Sequence, residues 1–487
     1  MSAIRTLGVH FLQFFSGSLA GLLIGLVSFP ILTRALSEAD YGALSMITMA
    51  TSIAVVVAKA GLSDGIIRFY REYSEDPERL RTFTSTVVVR GLLLASVVTV
   101  AFVALSPPLI RTLALDQALA PAILVMSAYL FVRPLNIIVL NYLRATGRTM
   151  FFNGVSLFMK LTSTTLSLLL LFAFGGSIAA FFAGVAGAEV LGSIALFSWL
   201  FRNYSVAIAS ASRPLSLQLI RFGLPLLATE LGYLLLIYSD RYIIAIFNGT
   251  AAVGEYTVGY NLPAYINDLV LFSVSYAIVP IYTELYAKKG KAETQAFLAR
   301  ALKYYVIGLI PACAGYAAVA RDIIVILASE RYESSASFSP IILCGLAFMG
   351  MNYILYAGLY LEKRTNLILL TMMLTLLVNV GLNLWLVPQE GPWGAAMATL
   401  VACVFSSVLT ASLSFRYLSI RLPFASITIY GATALIMLWV LLQIDLPSPW
   451  LNVAVKVPLG VLGAGAAMLI SDRKEVAGVL ALIRRRG

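Results

Sequence analysis

Stretches of about 20 mostly apolar residues recur along the whole chain. At about 1.5 Å per helical residue, a segment of that length crosses the hydrocarbon core of a membrane. The pattern predicts about fourteen transmembrane helices, over residues 9–32, 42–62, 84–105, 119–140, 152–172, 177–200, 222–247, 253–283, 306–327, 338–361, 367–387, 393–415, 427–442 and 451–470. The connections are too short to hold a soluble domain, so the predicted fold class is an all-α integral membrane protein.

Two similar hairpins indicate two related halves. In Pro30–Met46, an apolar helix ends, Glu38, Ala39 and Asp40 are predicted to fill a turn, and Tyr41 begins the return. Asp240–Leu262 repeats this arrangement. We assign residues 1–200 to an N-terminal lobe, 201–221 to a cytoplasmic linker, 222–418 to a C-terminal lobe, and 419–487 to two further spans with a basic tail. The amphipathic spacing of residues 284–305 predicts a segment on the inner membrane surface.

The composition agrees with a membrane protein, since 60% of residues are hydrophobic and only 12% are charged, whereas soluble domains are near a quarter charged. The chain has one His and three Cys. All three cysteines lie in apolar runs, so the sequence supports neither a disulfide framework nor a metal site. The sequence predicts no cofactor other than H⁺ or Na⁺ as a coupling ion.

The basic residues are distributed unevenly between the two sets of alternating connections. One set, together with the termini, holds 24 of the 34 Lys and Arg residues, and the other set holds four. The positive-inside rule therefore predicts that both termini are cytoplasmic, in a multi-pass protein of the cell inner (plasma) membrane. The net charge of +11 is explained by this topology and by lipid headgroups, so no nucleic-acid partner is predicted.

Cations inside the spans are candidates for binding an anionic substrate. Such residues cost roughly 3 kcal/mol each and usually face a partner or a wet cavity. Four consecutive spans of the first half each carry one at a similar, cytoplasm-leaning depth, and two more lie nearer the outer side. The set is Lys59, Arg90, Arg133, Lys160, Arg34 and Arg241. The alternative is snorkelling to the interface, which is hardest to apply to Arg133; Lys456 in the last span is predicted to snorkel.

Carboxylates inside the spans are candidates for ion coupling. Glu230, Asp240 and Asp268 can each take up H⁺ or Na⁺, and Glu230 lies about two turns into the first helix of the second half. The structural alternative pairs Asp240 with Arg241, and places Glu189 in a hydrogen bond across a helix interface.

Several stretches, taken together and in order, resemble one transporter family. They are LTRALSEADYGALSM at 32–46, GLSDGIIRFY at 61–70, LRATGRTMFFN at 143–153, IRFGLPLLATELGYLLLIYSDRYIIAIF at 220–247, VGEYTVGYNLP at 253–263 and VSYAIVPIYTELY at 274–286. The chain is similar over nearly its whole length to the polysaccharide/O-antigen (Wzx-type) flippases of the MATE-like exporter (MOP) superfamily.

This resemblance implies two pseudo-symmetric six-helix lobes around a central cavity, with two extra C-terminal helices and alternating access. It also implies a substrate, a polyprenyl-(pyro)phosphate-linked oligosaccharide carried from the inner to the outer leaflet for polysaccharide, O-antigen or exopolysaccharide biosynthesis. Membrane lipids, a polysaccharide polymerase and chain-length proteins are the expected partners, and the protein is expected to be a monomer.

Three other functions remain open from the sequence. A lipid II flippase fits equally well. A MATE-type small-molecule or ion antiporter fits less well, because the first span lacks a carboxylate. A membrane polymerase or ligase fits least, since the chain has neither a large outer loop nor a recognisable catalytic constellation. The sequence therefore predicts a transporter and not an enzyme.

Overall fold

The computed structural model describes residues 23–112 and 119–471, and the regular elements in these ranges are all helical. The prediction of an all-α membrane protein is confirmed. The helices are α1 Leu23–Ala35, α2 Glu38–Lys59, α3 Leu62–Tyr73, α4 Pro77–Thr112, α5 Ala120–Ala145, α6 Thr149–Ala173, α7 Ile178–Asn203, α8 Arg213–Leu327, α9 Ser339–Leu355, α10 Ala357–Leu361, α11 Thr365–Ser414, α12 Phe424–Leu442 and α13 Pro449–Ser471.

Glycines divide the two longest helices into segments that are each long enough to cross a bilayer. The backbone has positive φ at Gly249 (84°) and Gly290 (78°) in α8, and at Gly391 (56°) in α11, a conformation that glycine adopts without steric cost. We call the resulting segments α8a (213–248), α8b (250–289), α8c (291–327), α11a (365–390) and α11b (392–414).

The number of spans then agrees with the predicted pattern. Eleven helices in the described ranges are long and apolar enough to cross a membrane. Counting α8 as three spans instead of two, and α11 as two instead of one, gives thirteen. The first predicted span, residues 9–32, begins outside the described residues, and its final part forms α1. Most residues of the basic tail also lie outside them.

The first hairpin is tighter than predicted. Glu38, Ala39 and Asp40 were predicted to fill the turn, and this is wrong, because they form the first turn of α2. Ser37 is the N-cap, and its Oγ accepts a hydrogen bond from the Asp40 N–H at 3.1 Å. A hydroxyl at the N-cap and carboxylates in the first turn both stabilise a helix N-terminus.

The described chain forms two compact units, which divide after Gly254. The first unit includes α8a, which contacts the end of α2 through glycines: a Cβ on Gly61 would lie 2.3 Å from the Gly223 Cα. Further along α8a, the Tyr242 hydroxyl donates to the Met46 carbonyl at 3.1 Å. The predicted lobe boundary at 201–221 concerns the sequence halves and stays a prediction.

Each unit has its own apolar core. In the first, residues of α3, α4, α5 and α7 pack around the fully buried Tyr142, and α7 lies close to α6 because a Cβ on Gly184 would be 2.4 Å from Ser167. Small residues commonly allow such close approach between membrane helices. In the second, Tyr282, Leu298 and Leu302 pack with Leu355 and Leu418.

Residues 284–305 differ from the predicted surface segment. They continue the long helices α8b and α8c on either side of Gly290. Tyr286 donates a hydrogen bond to the Glu362 carboxylate at 2.7 Å, and Lys291 lies 3.7 Å from the same group. The Tyr286 hydrogen bond, with a smaller contribution from Lys291, holds the pKa of Glu362 below its ordinary value. This contact fastens the α8b end to the connection that follows α10.

Candidate functional site

An ion pair joins two residues that the sequence assigned to different roles. The Lys59 Nζ, at the end of α2, lies 2.7 and 2.9 Å from the two carboxylate oxygens of Glu230 in α8a. The Lys59 side chain is 11% exposed and the Glu230 side chain 41%. A predicted substrate-binding cation and a predicted coupling carboxylate therefore form one local site.

The helix break beside this pair brings in a second carboxylate. Ala60 and Gly61 both have positive φ (43° and 72°) and separate α2 from α3. Asp64, in the first turn of α3, is within electrostatic range of both Lys59 and Glu230. Ala60 carries a Cβ in a region that normally costs free energy. The three groups carry one positive and two negative charges when all are ionised.

Arg133 belongs to a network that links α5 to α7. Its Nη1 lies 2.9 Å from Glu189 Oε1, and Asn136 Nδ2 donates to Glu189 Oε2 at 2.8 Å. Ser193 donates to Asn136 Oδ1 at 2.8 Å. The Glu189 side chain is 9% exposed and that of Arg133 is 32%. The predicted alternative for Glu189, a hydrogen bond across a helix interface, agrees with this geometry, and the Arg133 charge is largely neutralised.

Arg241 and Asp240 form a local buried pair in α8a. The Arg241 Nη1 lies 2.9 Å from Asp240 Oδ1, and the two side chains are 1% and 2% exposed. The same guanidinium donates to the Ile237 carbonyl one turn earlier. The geometry matches the structural alternative that the sequence offered for these neighbours, and a substrate would need to separate them to reach either charge.

Arg90 in α4 and Lys160 in α6 differ from the other predicted cations. Arg90 is half-buried and Lys160 is exposed. Neither forms an ion pair with any residue of the described ranges. Because an uncompensated cation is costly within a span, both side chains need water, a lipid headgroup or an anionic ligand.

The two remaining predicted residues are both exposed. Arg34 is exposed in the last turn of α1, with its Nη1 3.4 Å from the Pro30 carbonyl. Asp268 is exposed in α8b. Within the described residues, no cluster of three or more His, Cys, Asp or Glu is arranged to hold a metal ion.

Lys456 was predicted to snorkel, and this is wrong. Its side chain is 8% exposed in α13, and its Nζ lies 3.7 Å from Asp322 Oδ2 in α8c. Asn452 Nδ2 donates to Asp322 Oδ1 at 3.0 Å. The sequence-based predictions did not include Asp322, although a carboxylate directly before the apolar run IIVIL is a recognisable candidate for pairing with a cation in a span. A buried cation persists here because the Asp322 carboxylate balances its charge and its Nζ donates to the Ala318 carbonyl at 3.4 Å.

Comparison with known proteins identifies the class of molecule. A family model described as "Polysaccharide biosynthesis protein" matches residues 11–286. An uncharacterized membrane protein of Methanocaldococcus jannaschii, MJ1068, is 23% identical over 82% of this chain and 81% of its own length. The probable low-salt glycan biosynthesis flippase Agl15 of Haloferax volcanii is 23% identical over 51% of this chain and 53% of its own length.

Solved structures show the same fold. The lipid II flippase MurJ, in an inward closed conformation, superposes with a TM-score of 0.76 at 17% identity, covering 96% of this chain and 99% of MurJ. A multidrug resistance MATE transporter of the MOP superfamily, inward-facing, gives 0.70 at 14% identity, covering 82% and 95%. Agl15 is named as a probable flippase, MurJ as a flippase and the MATE protein as a transporter, in keeping with the prediction that this chain is not an enzyme. With more than half of its length matched by the family model, the chain belongs to the polysaccharide biosynthesis protein family, a multi-pass membrane family with a MurJ- and MATE-like fold.

Proposed function

We propose that this protein is a flippase that moves a polyprenyl-(pyro)phosphate-linked oligosaccharide from the cytoplasmic to the outer leaflet by alternating access. The observation that carries the proposal is the family match over residues 11–286. A relative named as a probable glycan biosynthesis flippase supports it. The protein acts as a monomer, and a polysaccharide polymerase and chain-length proteins act on the product.

The cations that lack ion-pair partners in the described ranges support an anionic substrate. Arg90 and Lys160 each bring a positive charge into a span of the first unit, with no ion-pair partner among the residues that the structure describes. A phosphate or pyrophosphate headgroup supplies the missing negative charge, and low-dielectric surroundings strengthen the attraction. The exposed edge of Arg133 adds to this positive potential. Lys59 and Arg241 contribute only where the substrate displaces their carboxylate partners, and Arg34 and Arg241 lie nearer the outer side in the proposed orientation.

Exchange at Lys59 couples the headgroup to an ion. An arriving pyrophosphate competes with Glu230 for the Lys59 ammonium, because both groups are anions that can pair with the same cation. Glu230 and Asp64 are then two carboxylates without their shared counter-charge, and one of them takes up H⁺ or Na⁺. Asp240 and Asp268 are secondary candidates for this uptake. The membrane potential contributes about 2.3 kcal/mol per charge per 100 mV to such a step.

Transport is tested in liposomes. We expect the reconstituted protein to carry a polyprenyl-pyrophosphate-linked oligosaccharide to the outer leaflet, where an external lectin binds it. The double variant Arg90→Ala with Lys160→Ala should lower the rate of transport roughly tenfold, which corresponds to about 1.4 kcal/mol. The exposed Lys288→Ala is the matched control. Parallel assays with lipid II and with a cationic drug distinguish between the alternative substrates. A wild-type rate equal to that of empty liposomes would refute the proposed function.

The orientation is proposed from the positive-inside distribution, with both termini cytoplasmic in the inner membrane. We expect a cysteine at Lys289 to react with an impermeant thiol reagent only from the cytoplasm, and a cysteine at Glu330 only from outside. Both positions are exposed. Lys289 is preferable to Gly290, whose φ of 78° disfavours any side chain. The reverse pattern of labelling would overturn the orientation.

A further inference from the structure

An apolar groove of about 700 Å³ runs along α8c in the second unit. One face of α8c forms its wall, from Phe297 through Tyr304 and Gly308 to Ala312, and Ile266 and Ile278 of α8b face that wall. At about 1.5 Å per residue the wall is about 22 Å long, so it covers most of the thickness of a hydrocarbon core of about 30 Å. The groove lies outside the charged pairs described above.

One cation lies near the Phe297 end of the groove. Of the described residues that line it, Arg300 alone is charged. The Arg300 side chain is exposed, its Nε donates to the Ala296 carbonyl at 3.4 Å, and it forms no ion pair with a described carboxylate. A long apolar surface with one guanidinium at its end is complementary to a molecule with one phosphate and one long apolar chain.

Gly308 widens the groove about one helical turn from its Ala312 end. A Cβ added at Gly308 would meet no atom within 4 Å, so the helix surface is recessed there. The recess gives room for the methyl branches of an isoprenoid chain, and Phe297 and Tyr304 offer flat faces against which such a chain can pack.

We propose that this groove binds the polyprenyl chain of the phosphorylated lipid carrier, with Arg300 contacting its phosphate. The choice of occupant rests on the proposed function, in which the glycan crosses through the protein while its lipid remains in the membrane. The groove holds one lipid carrier against α8c.

Gly308→Leu tests the groove by filling it. We expect the purified full-length variant to bind polyprenyl monophosphate about tenfold more weakly than the wild type, as measured by native mass spectrometry, because the new side chain occupies the volume of several methylene groups. Gly315→Leu is the matched control. Gly315 lies on the same helix, its added Cβ also meets no atom within 4 Å, and it does not line the groove.

Arg300→Gln tests the phosphate contact without filling the groove. We expect it to remove most of the preference for polyprenyl monophosphate over uncharged polyprenol. Equal binding of polyprenyl monophosphate by the wild type and Gly308→Leu would overturn the proposal. It would also be overturned if phosphatidylglycerol and polyprenyl monophosphate competed equally for the groove. If Gly308→Leu does not fold, the Arg300→Gln result decides alone. Retained binding in a protein that fails the liposome assay would reject the flippase function and leave the lipid site standing.

Discussion

Reversing the charge at Lys59 is expected to abolish export and lower the amount of folded protein. In Lys59→Glu a carboxylate replaces the ammonium that lies 2.7 Å from Glu230, and Asp64 adds a third negative charge nearby. Like charges in a partly buried site repel, and the loss of the pair costs on the order of 2 kcal/mol. Export by membrane vesicles and the thermal midpoint of the purified protein measure the two effects.

The double exchange Lys59→Glu with Glu230→Lys separates packing from transport. It rebuilds an ion pair across α2 and α8a, so we expect the thermal midpoint to recover. Export stays absent, because the cation now projects from α8a and the exchange with a headgroup at the end of α2 is lost.

The exposed pair Lys288 and Glu284, 2.6 Å apart, provides the control. Exchanging Lys288 and Glu284 should change neither export nor the thermal midpoint, since surface ion pairs contribute little to stability. Full export by the Lys59/Glu230 exchange would show that this pair has only a structural role.

Removing Arg133 is expected to destabilise the protein more than removing any exposed cation. In Arg133→Ala the Glu189 carboxylate keeps its hydrogen bond from Asn136 but loses its only described ion-pair partner. Removing one partner of a buried ion pair lowers the free energy of unfolding, here by about 3 kcal/mol. This value is at the lower end of the usual range because the Arg133 side chain is 32% exposed. The measurement is the amount of folded protein in the membrane, with its thermal midpoint.

Adding Glu189→Gln to Arg133→Ala removes the unpaired charge and leaves an amide oxygen for Asn136. We expect this double variant to recover its folded amount, while surface polysaccharide per molecule stays below the wild-type value because the exposed edge of the guanidinium is gone. Wild-type output per molecule from the double variant would assign Arg133 to structure alone.

The span pattern was predictable from the sequence because bilayer thickness fixes how many apolar residues a helix needs. The glycine breaks were harder to predict, since Gly249, Gly290 and Gly391 look like other glycines until φ is known. Residues 284–305 were misread because amphipathic spacing is the same for a helix on the membrane surface and for the end of a span that continues beyond the membrane.

The charged pairs were only partly predictable. Composition and depth identified Lys59, Arg133 and Glu230 as ionisable groups within spans, but not their partners. Lys59 and Glu230 are 171 positions apart, and a one-residue shift in either helix would rotate its side chain by about 100° and separate them. Lys456 was misassigned for the same reason, because its partner Asp322 lies on another helix and no local signal connects the two.

Gly42 in α2 and Gly61 just after it have a consequence for how the protein tolerates mutation. Gly42 lies against the backbone of Thr250 and Gly254, and Gly61 lies against Gly223. These two contacts are about 28 Å apart along the helix, close to the thickness of the hydrocarbon core. A Cβ added at any of these glycines would lie within 3 Å of a backbone atom, which cannot move aside as the end of a flexible side chain can. Inherited or selected loss-of-function changes should therefore concentrate at glycines that have no chemistry of their own.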